Sequence, residues 1–328
     1  MSIPLTTFDE INTGHVNGPV PWRLTAAQVD AALCEYDQWR PPFVGSDEQG
    51  RRIIPPCVSV GPAVAASPFR FRGIAAGVEL HNHGHLYQDR DYAIDLYVDE
   101  KYEKRGRQYI WFRATFSDEA RTAHEYRWLQ VLSPVANRDI SSELTLADVR
   151  DVQVDQLNEF PYVPPVPVVR GPDWQLTEAS PAVRAGYLPD KPEPGTQLLP
   201  RSVRFTWTRA RDYAEWRRLR TGEPPSSAAW SVHSHSGAAR EIGLDAANIS
   251  GANIAPYLTD LVLDAFGDRW LLAGSLSVKF LKPLGLTDYF VASGSVESTT
   301  PEATTVTLTG QNQAGETVLV GSATVARR

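Results

Sequence analysis

The segment NISGANIAPYLTDLVLDAFG, residues 248–267, constrains the fold of this chain more than any other. Ile254, Leu258, Leu261, Val262 and Ala265 recur at helical spacing, and Gly267 supplies the stop. A helix this apolar needs cover on most of its sides. The cover follows directly in the chain. LAGSLSVKFLKPL, DYFVASGSVEST and TTVTLTGQNQAGETVLVGSATV are strand-like, and the last folds back as a hairpin around Gln313–Gly315.

The first half shows the same order with less regularity. Residues 22–36, WRLTAAQVDAALCEY, predict a short amphipathic helix with Leu24 and Thr25 leading in. Pro-rich WRPPF and IIPPCVSVGPAVAASPF then exclude long regular elements. From residue 78 to 119 three strand-like runs follow, with Asp99–Lys101 and Lys104–Arg107 read as bends. Residues 135–200 hold PYVPPVPVV and LPDKPEPGTQLLP, the pattern of a Pro-rich connecting arm that packs in extended form. After it come strand-like RSVRFTWT, a helix around RARDYAEWRRLR and the loop TGEPPSSAAWSVHSHSGAAREIG. The expected organisation is an α+β protein with two antiparallel sheets, each wrapped around a central helix. Its units are 1–134 and 201–328, joined by the arm 135–200.

With 328 residues, 42% hydrophobic and 22% charged, the chain has the composition of a folded globular protein. A net charge of −7 argues against broad nucleic-acid binding. Cys34 and Cys57 are too few for a disulfide framework and sit beside apolar residues, as buried inert thiols do. The opening MSIPLTTFDEINTGH lacks the basic start and apolar stretch of a secretory leader, and no run is long enough to span a bilayer. The expectation is a cytoplasmic protein with no membrane partner.

Certain stretches carry a resemblance. VHSHSGAAREIG, NISGANIAPYL, LSVKFLKPLGLTDYFVASGSV and GETVLVGSATV lie in the second half. LTAAQVDAALCEYD, IIPPCVSV, ELHNHGHLYQDRDYAID and YEKRGRQYIWFRATFSDE lie in the first. Together they resemble the MaoC-like, R-specific enoyl-thioester hydratases in their tandem form, with two hot-dog units in one chain. The resemblance implies an acyl thioester ligand, carried by coenzyme A or by an acyl carrier protein, and no other cofactor. It also implies a homodimer.

The hydratase pattern of that family is roughly D-x-N-P-[IV]-H-x-D. Such chemistry needs a carboxylate and an imidazole acting on one water, with a backbone N–H polarising the thioester carbonyl. Aligned through Gly243, the pattern's His falls on His233 and its Asp on Ala228. Trp230 takes the place of the Asn, Ser231 of the Pro, and His235 of the trailing Asp. Glu223, Asp37 and His235 are the substitutes that the sequence offers for the missing carboxylate.

The resemblance puts the Gly251 N–H on the thioester oxygen. Ser250 and Gly251 also fit a plain helix cap with a small residue for close packing. Trp230 beside the catalytic loop would shape the pocket for a bulky acyl group. His81, His83 and His85 alternate as on one strand face, which suits interstrand pairing, a substrate groove lined by His81, or a metal site. No fourth ligand accompanies them, and no metal is expected. YEKRGR (102–107) suits a solvated turn or a phosphate contact.

The expected activity is a divergent hydratase or dehydratase with a bulky or polyketide-like thioester as substrate. His233, with His235, would do the acid–base work. A cyclase, isomerase or thioesterase needs only one base and remains open, as does a non-catalytic partner subunit.

Overall fold

The computed structural model describes residues 6–47, 49–69, 73–132, 186–205, 232–233, 236–240 and 243–327. The first unit comprises β1 (Gly14–Trp22), α1 (Ala26–Tyr36), α2 (Pro41–Val44), β2 (Ile53–Ile54), a 3-10 turn at Pro56–Ser59, α3 (Val60–Ala65), β3 (Gly73–Asn82), β4 (Leu86–Tyr87), β5 (Tyr92–Lys104), β6 (Arg107–Ser117) and β7 (Thr122–Leu132). The second comprises β8 (Arg201–Arg204), α4 (Ser236–Arg240), α5 (Gly251–Phe266), α6 (Asp268–Ala273), β9 (Gly274–Phe280), β10 (Tyr289–Thr299), β11 (Ala303–Asn312) and β12 (Thr317–Ala326). The helix expected around RARDYAEWRRLR and most of the arm lie outside the described residues.

The two sheets are joined edge to edge. Among the described residues ten strands run in the order β1-β5-β6-β7-β3-β9-β12-β11-β10-β8, each antiparallel to its neighbours. The seam is β3 against β9, with Gly77 opposite Lys279, Val78 opposite Val278 and Leu80 opposite Leu276. One apolar core runs across both units. This is the expected double hot-dog, with α5 as the enclosed helix of the second unit. The corresponding stretch of the first unit is only the 3-10 turn and the short α3, because Pro55, Pro56 and Pro62 interrupt it.

Local chemistry explains the elements. Thr25 and Gln28 close a capping box at the start of α1, and Asp37 ends that helix at φ 56°. Ser250 caps α5 and Gly267 ends it at φ 61°. Arg105 and Gly106 both have positive φ, which gives the β5–β6 hairpin its tight turn. The bend expected at Asp99–Lys101 is instead continuous strand. A bulge between Val98 and Glu100 absorbs the irregularity there.

Among the described residues no helix is long and apolar enough to cross a membrane.

Two polar contacts tie the units together inside the core. The Asp260 carboxylate of α5 accepts from Gln38 Nε2 at 3.1 Å and from Arg40 Nε at 3.0 Å. Burial pushes the Asp260 pKa up, and Arg40 and Gln38 pull it back. Arg40 and Arg201 also meet Asp264, one turn further along the helix. The second contact centres on His124, whose ring lies 2.9 Å from Ser59 Oγ and 3.0 Å from Asn82 Oδ1. Asn82 Nδ2 donates to the Trp270 carbonyl of α6, so its oxygen faces the ring and His124 Nδ1 holds the proton.

Arg40→Ala leaves a buried carboxylate without its cation, and we expect a loss of about 3 kcal/mol in denaturant unfolding. Burial lowers the His124 pKa from 6.5 to about 3, so the folded protein keeps the ring neutral where the unfolded chain takes a proton. That contribution is complete above pH 6.5 and declines as pH falls toward 3. It costs about 2 kcal/mol between pH 7 and pH 5. Melting curves across that range should therefore slope less steeply in His124→Gln than in the wild type.

Candidate functional site

A cavity of about 990 Å³ lies where the seam meets the start of α5. Val78, Tyr126 and Trp128 of the sheet form one wall, and residues 248–254 with Phe280–Leu284 form the other. The end of α1 and one face of α3 enclose it from the first unit.

His233 reaches this cavity on a short piece of chain stitched to the approach of α5. Asn248 N donates to the Val232 carbonyl at 3.2 Å, and Ile249 N to the Leu284 carbonyl at 2.8 Å. His233 Nδ1 lies 3.0 Å from the Asn248 carbonyl oxygen. A carbonyl only accepts, so the proton sits on Nδ1 and the lone pair on Nε2, the tautomer that a general base at Nε2 requires.

Ser250 and Gly251 line the same cavity. The Ser250 hydroxyl accepts from Ala252 N at 3.3 Å, and its carbonyl accepts from Asn253 N at 2.9 Å. Gly251 is the first residue of the helix, and its N–H has no acceptor one turn back. It sits at the positive end of a helix of 16 residues. The packing role of Gly251 is explicit, because a Cβ there would come within 2.6 Å of the Phe280 ring.

The other candidates fall elsewhere. Trp230 and His235 lie outside the described residues, as do Ala228, Ser231 and Glu223. His81 lies on β3 but does not line the cavity. Val78, Leu80 and Asn82 are buried, so by strand alternation Glu79 and His81 face the opposite side of the sheet. There His81, then Arg127, hold the Glu79 carboxyl below its ordinary range against partial burial. His83 meets Glu125, the cross-strand partner of His81, at 3.1 Å on that outer side, whereas His85, beyond the end of β3 at Asn82, faces the Tyr87 hydroxyl at 3.2 Å. No group of three or more metal-ligating side chains occurs among the described residues. Asp37 is exposed, 3.5 Å from the Tyr257 hydroxyl, and does not line the cavity. Burial raises both thiols, Cys34 and Cys57, to about 12, far from thiolate chemistry at neutral pH.

Two features of the cavity were not anticipated in full. Lys104, Arg105 and Arg107 of the β5–β6 hairpin share its lining with Lys279 and Lys282. A single acid, Glu35, lines it among the described residues, and that residue is only 4% exposed. Its signal in the sequence was an acid within the apolar stripe of α1, beside Leu33 and Tyr36.

No family model matches the sequence, and the comparison with curated proteins found no match. The fold, in contrast, is well represented among solved structures. A MaoC-like dehydratase superposes with TM-score 0.66 at 15% identity, over 95% of this chain and 97% of that one. A putative MaoC domain protein dehydratase from Chloroflexus aurantiacus J-10-fl gives 0.63 at 12% identity, over 99% and 98%. A conserved hypothetical protein of Mycobacterium tuberculosis, described as having a double hotdog fold, gives 0.61 at 13% identity over 98% of both chains. At these identities the likeness is one of fold, and the fold is the double hot-dog.

A methyl group at position 251 overpacks the contact with Phe280, and we expect Gly251→Ala to cost about 1–3 kcal/mol in denaturant unfolding. Trimming the ring in the double variant Gly251→Ala/Phe280→Leu should recover part of that loss. The coupling should be at least about 0.5 kcal/mol.

Proposed function

We propose that this protein is a divergent hydratase or dehydratase of an acyl thioester, with His233 as its acid–base residue and the Gly251 N–H as donor to the thioester oxygen. One observation carries this reading. An imidazole with its proton pinned to Nδ1 by the Asn248 carbonyl shares a cavity with the N-terminal end of the enclosed helix. Nε2 then exchanges a proton with water or with the α-carbon, and the helix end stabilises the charge that gathers on the thioester oxygen. The likeness of fold to MaoC-like dehydratases supports the same class of reaction.

The lining suits a substrate with a charged carrier and a large acyl part. Arg105, Arg107 and Lys282 offer partners to the phosphates of coenzyme A or of a carrier-protein arm. A volume of about 990 Å³ leaves room for a bulky or polyketide-like acyl group.

The test is mass spectrometry of purified protein with a panel of 2-enoyl and 3-hydroxyacyl thioesters, beside His233→Ala. A gain or loss of one water that falls by about 10²-fold or more in the variant is the expected result. A thioester bound and released without change of mass would instead favour an isomerase or cyclase, each of which needs a single base, or a non-catalytic partner subunit.

A further inference from the structure

Hydration of an enoyl thioester moves two protons, and the described cavity holds one histidine. We propose that Glu35 is the second acid–base group, supplied from the first unit in place of the carboxylate missing at Ala228. The proposal rests on the hydratase reading of His233.

Glu35 is the one acid among the described residues that line the cavity, and it is 4% exposed on the inner side of α1. A largely buried acid that opens into the same cavity as a histidine is the arrangement general acid–base chemistry uses.

The end of α1 is also held firmly against α5. Asp37 meets the Tyr257 hydroxyl, and Gln38 donates to Thr259 and Asp260 at 3.0 and 3.1 Å. From Tyr257 back to Gly251 is six residues of helix, about 9 Å of rise. Glu35 precedes Asp37 by two residues and faces the cavity on that side. Glu35 and His233 therefore line one cavity from opposite units.

In the forward direction His233 enters with a proton taken from solvent on Nε2, besides the one held on Nδ1 by the Asn248 carbonyl, and the Glu35 carboxylate takes a proton from water as the oxygen bonds to the β-carbon. The double-bond electrons move to the α-carbon and thioester oxygen, beside the Gly251 N–H. Protonated His233 then delivers its proton to the α-carbon, giving the 3-hydroxyacyl thioester. The proton held by Glu35 returns to His233 through water, so both groups end as they began.

The experiment compares wild type, Glu35→Gln and His233→Ala on the same 2-enoyl thioester. Glu35→Gln preserves size and hydrogen bonding and removes the charge. We expect kcat to fall by about 10²- to 10³-fold. KM, the affinity for a saturated acyl-CoA and the melting temperature should stay near the wild-type values. Glu35→Ala should regain part of its kcat in added formate, which a purely structural role would not produce. Hydration by Glu35→Gln at the wild-type rate while His233→Ala is inactive would overturn the role of Glu35 alone. A loss confined to affinity overturns it too and makes Glu35 a reader of the acyl group. A wild type that moves no water on any thioester overturns both readings.

Discussion

Everything in this molecule is organised by the backbone pairing of β3 with β9. Each unit contributes half a sheet, and each half alone would present an unpaired strand edge along its middle. The pairing from Gly77–Lys279 to His81–Ser275 removes both edges and makes the concave face continuous. Gly77 permits the approach, since a Cβ there would lie 2.9 Å from the Val278 carbonyl oxygen. The cavity spans this joint, so its two walls share one register.

The polar groups are sorted by the sheet. Its outer face near the seam carries Glu79, Asp99, Arg113 and Arg127 in a partly exposed charge network, whose net worth in water is small. The inner face admits few charges, and those it admits are held. Asp260 has Arg40 and Gln38, and His124 stays neutral between Ser59 and Asn82. Both contacts connect residues distant in sequence and pin one unit to the other, so that His233 and Glu35 open into one cavity from different units.

The second unit was the more legible in sequence. Helix α5 has apolar residues at strict helical spacing, a Ser cap and a Gly stop, and the β11–β12 hairpin turns at Gly315 with positive φ. Strands β1 and β7 escaped notice for different physical reasons. Pro19 and Pro21 make β1 read as loop, yet an outermost strand tolerates residues that cannot donate to the ladder. In β7 the buried face includes His124 and Gln130, which blurs the apolar alternation. Site residues divide along the same line. His233, Ser250 and Gly251 stand near a strong helix signal, and the structure brings them to one cavity. The alternation of His81, His83 and His85 was visible, but alternation alone does not say which face of a sheet points inward. Glu35 was hidden because an acid in a short amphipathic helix, like Asp30 in the same helix, ordinarily reads as facing solvent.

The outermost strands have a consequence for assembly. Among the described residues, one end of the ten-stranded ribbon is the proline-bearing β1, which offers fewer N–H groups to a newcomer, and the other is β8, only four residues long. Both ends are poor templates for a further strand. The same architecture that grows a sheet across two units thus blunts its growth beyond them, and guards a long, exposed antiparallel surface against fibre formation.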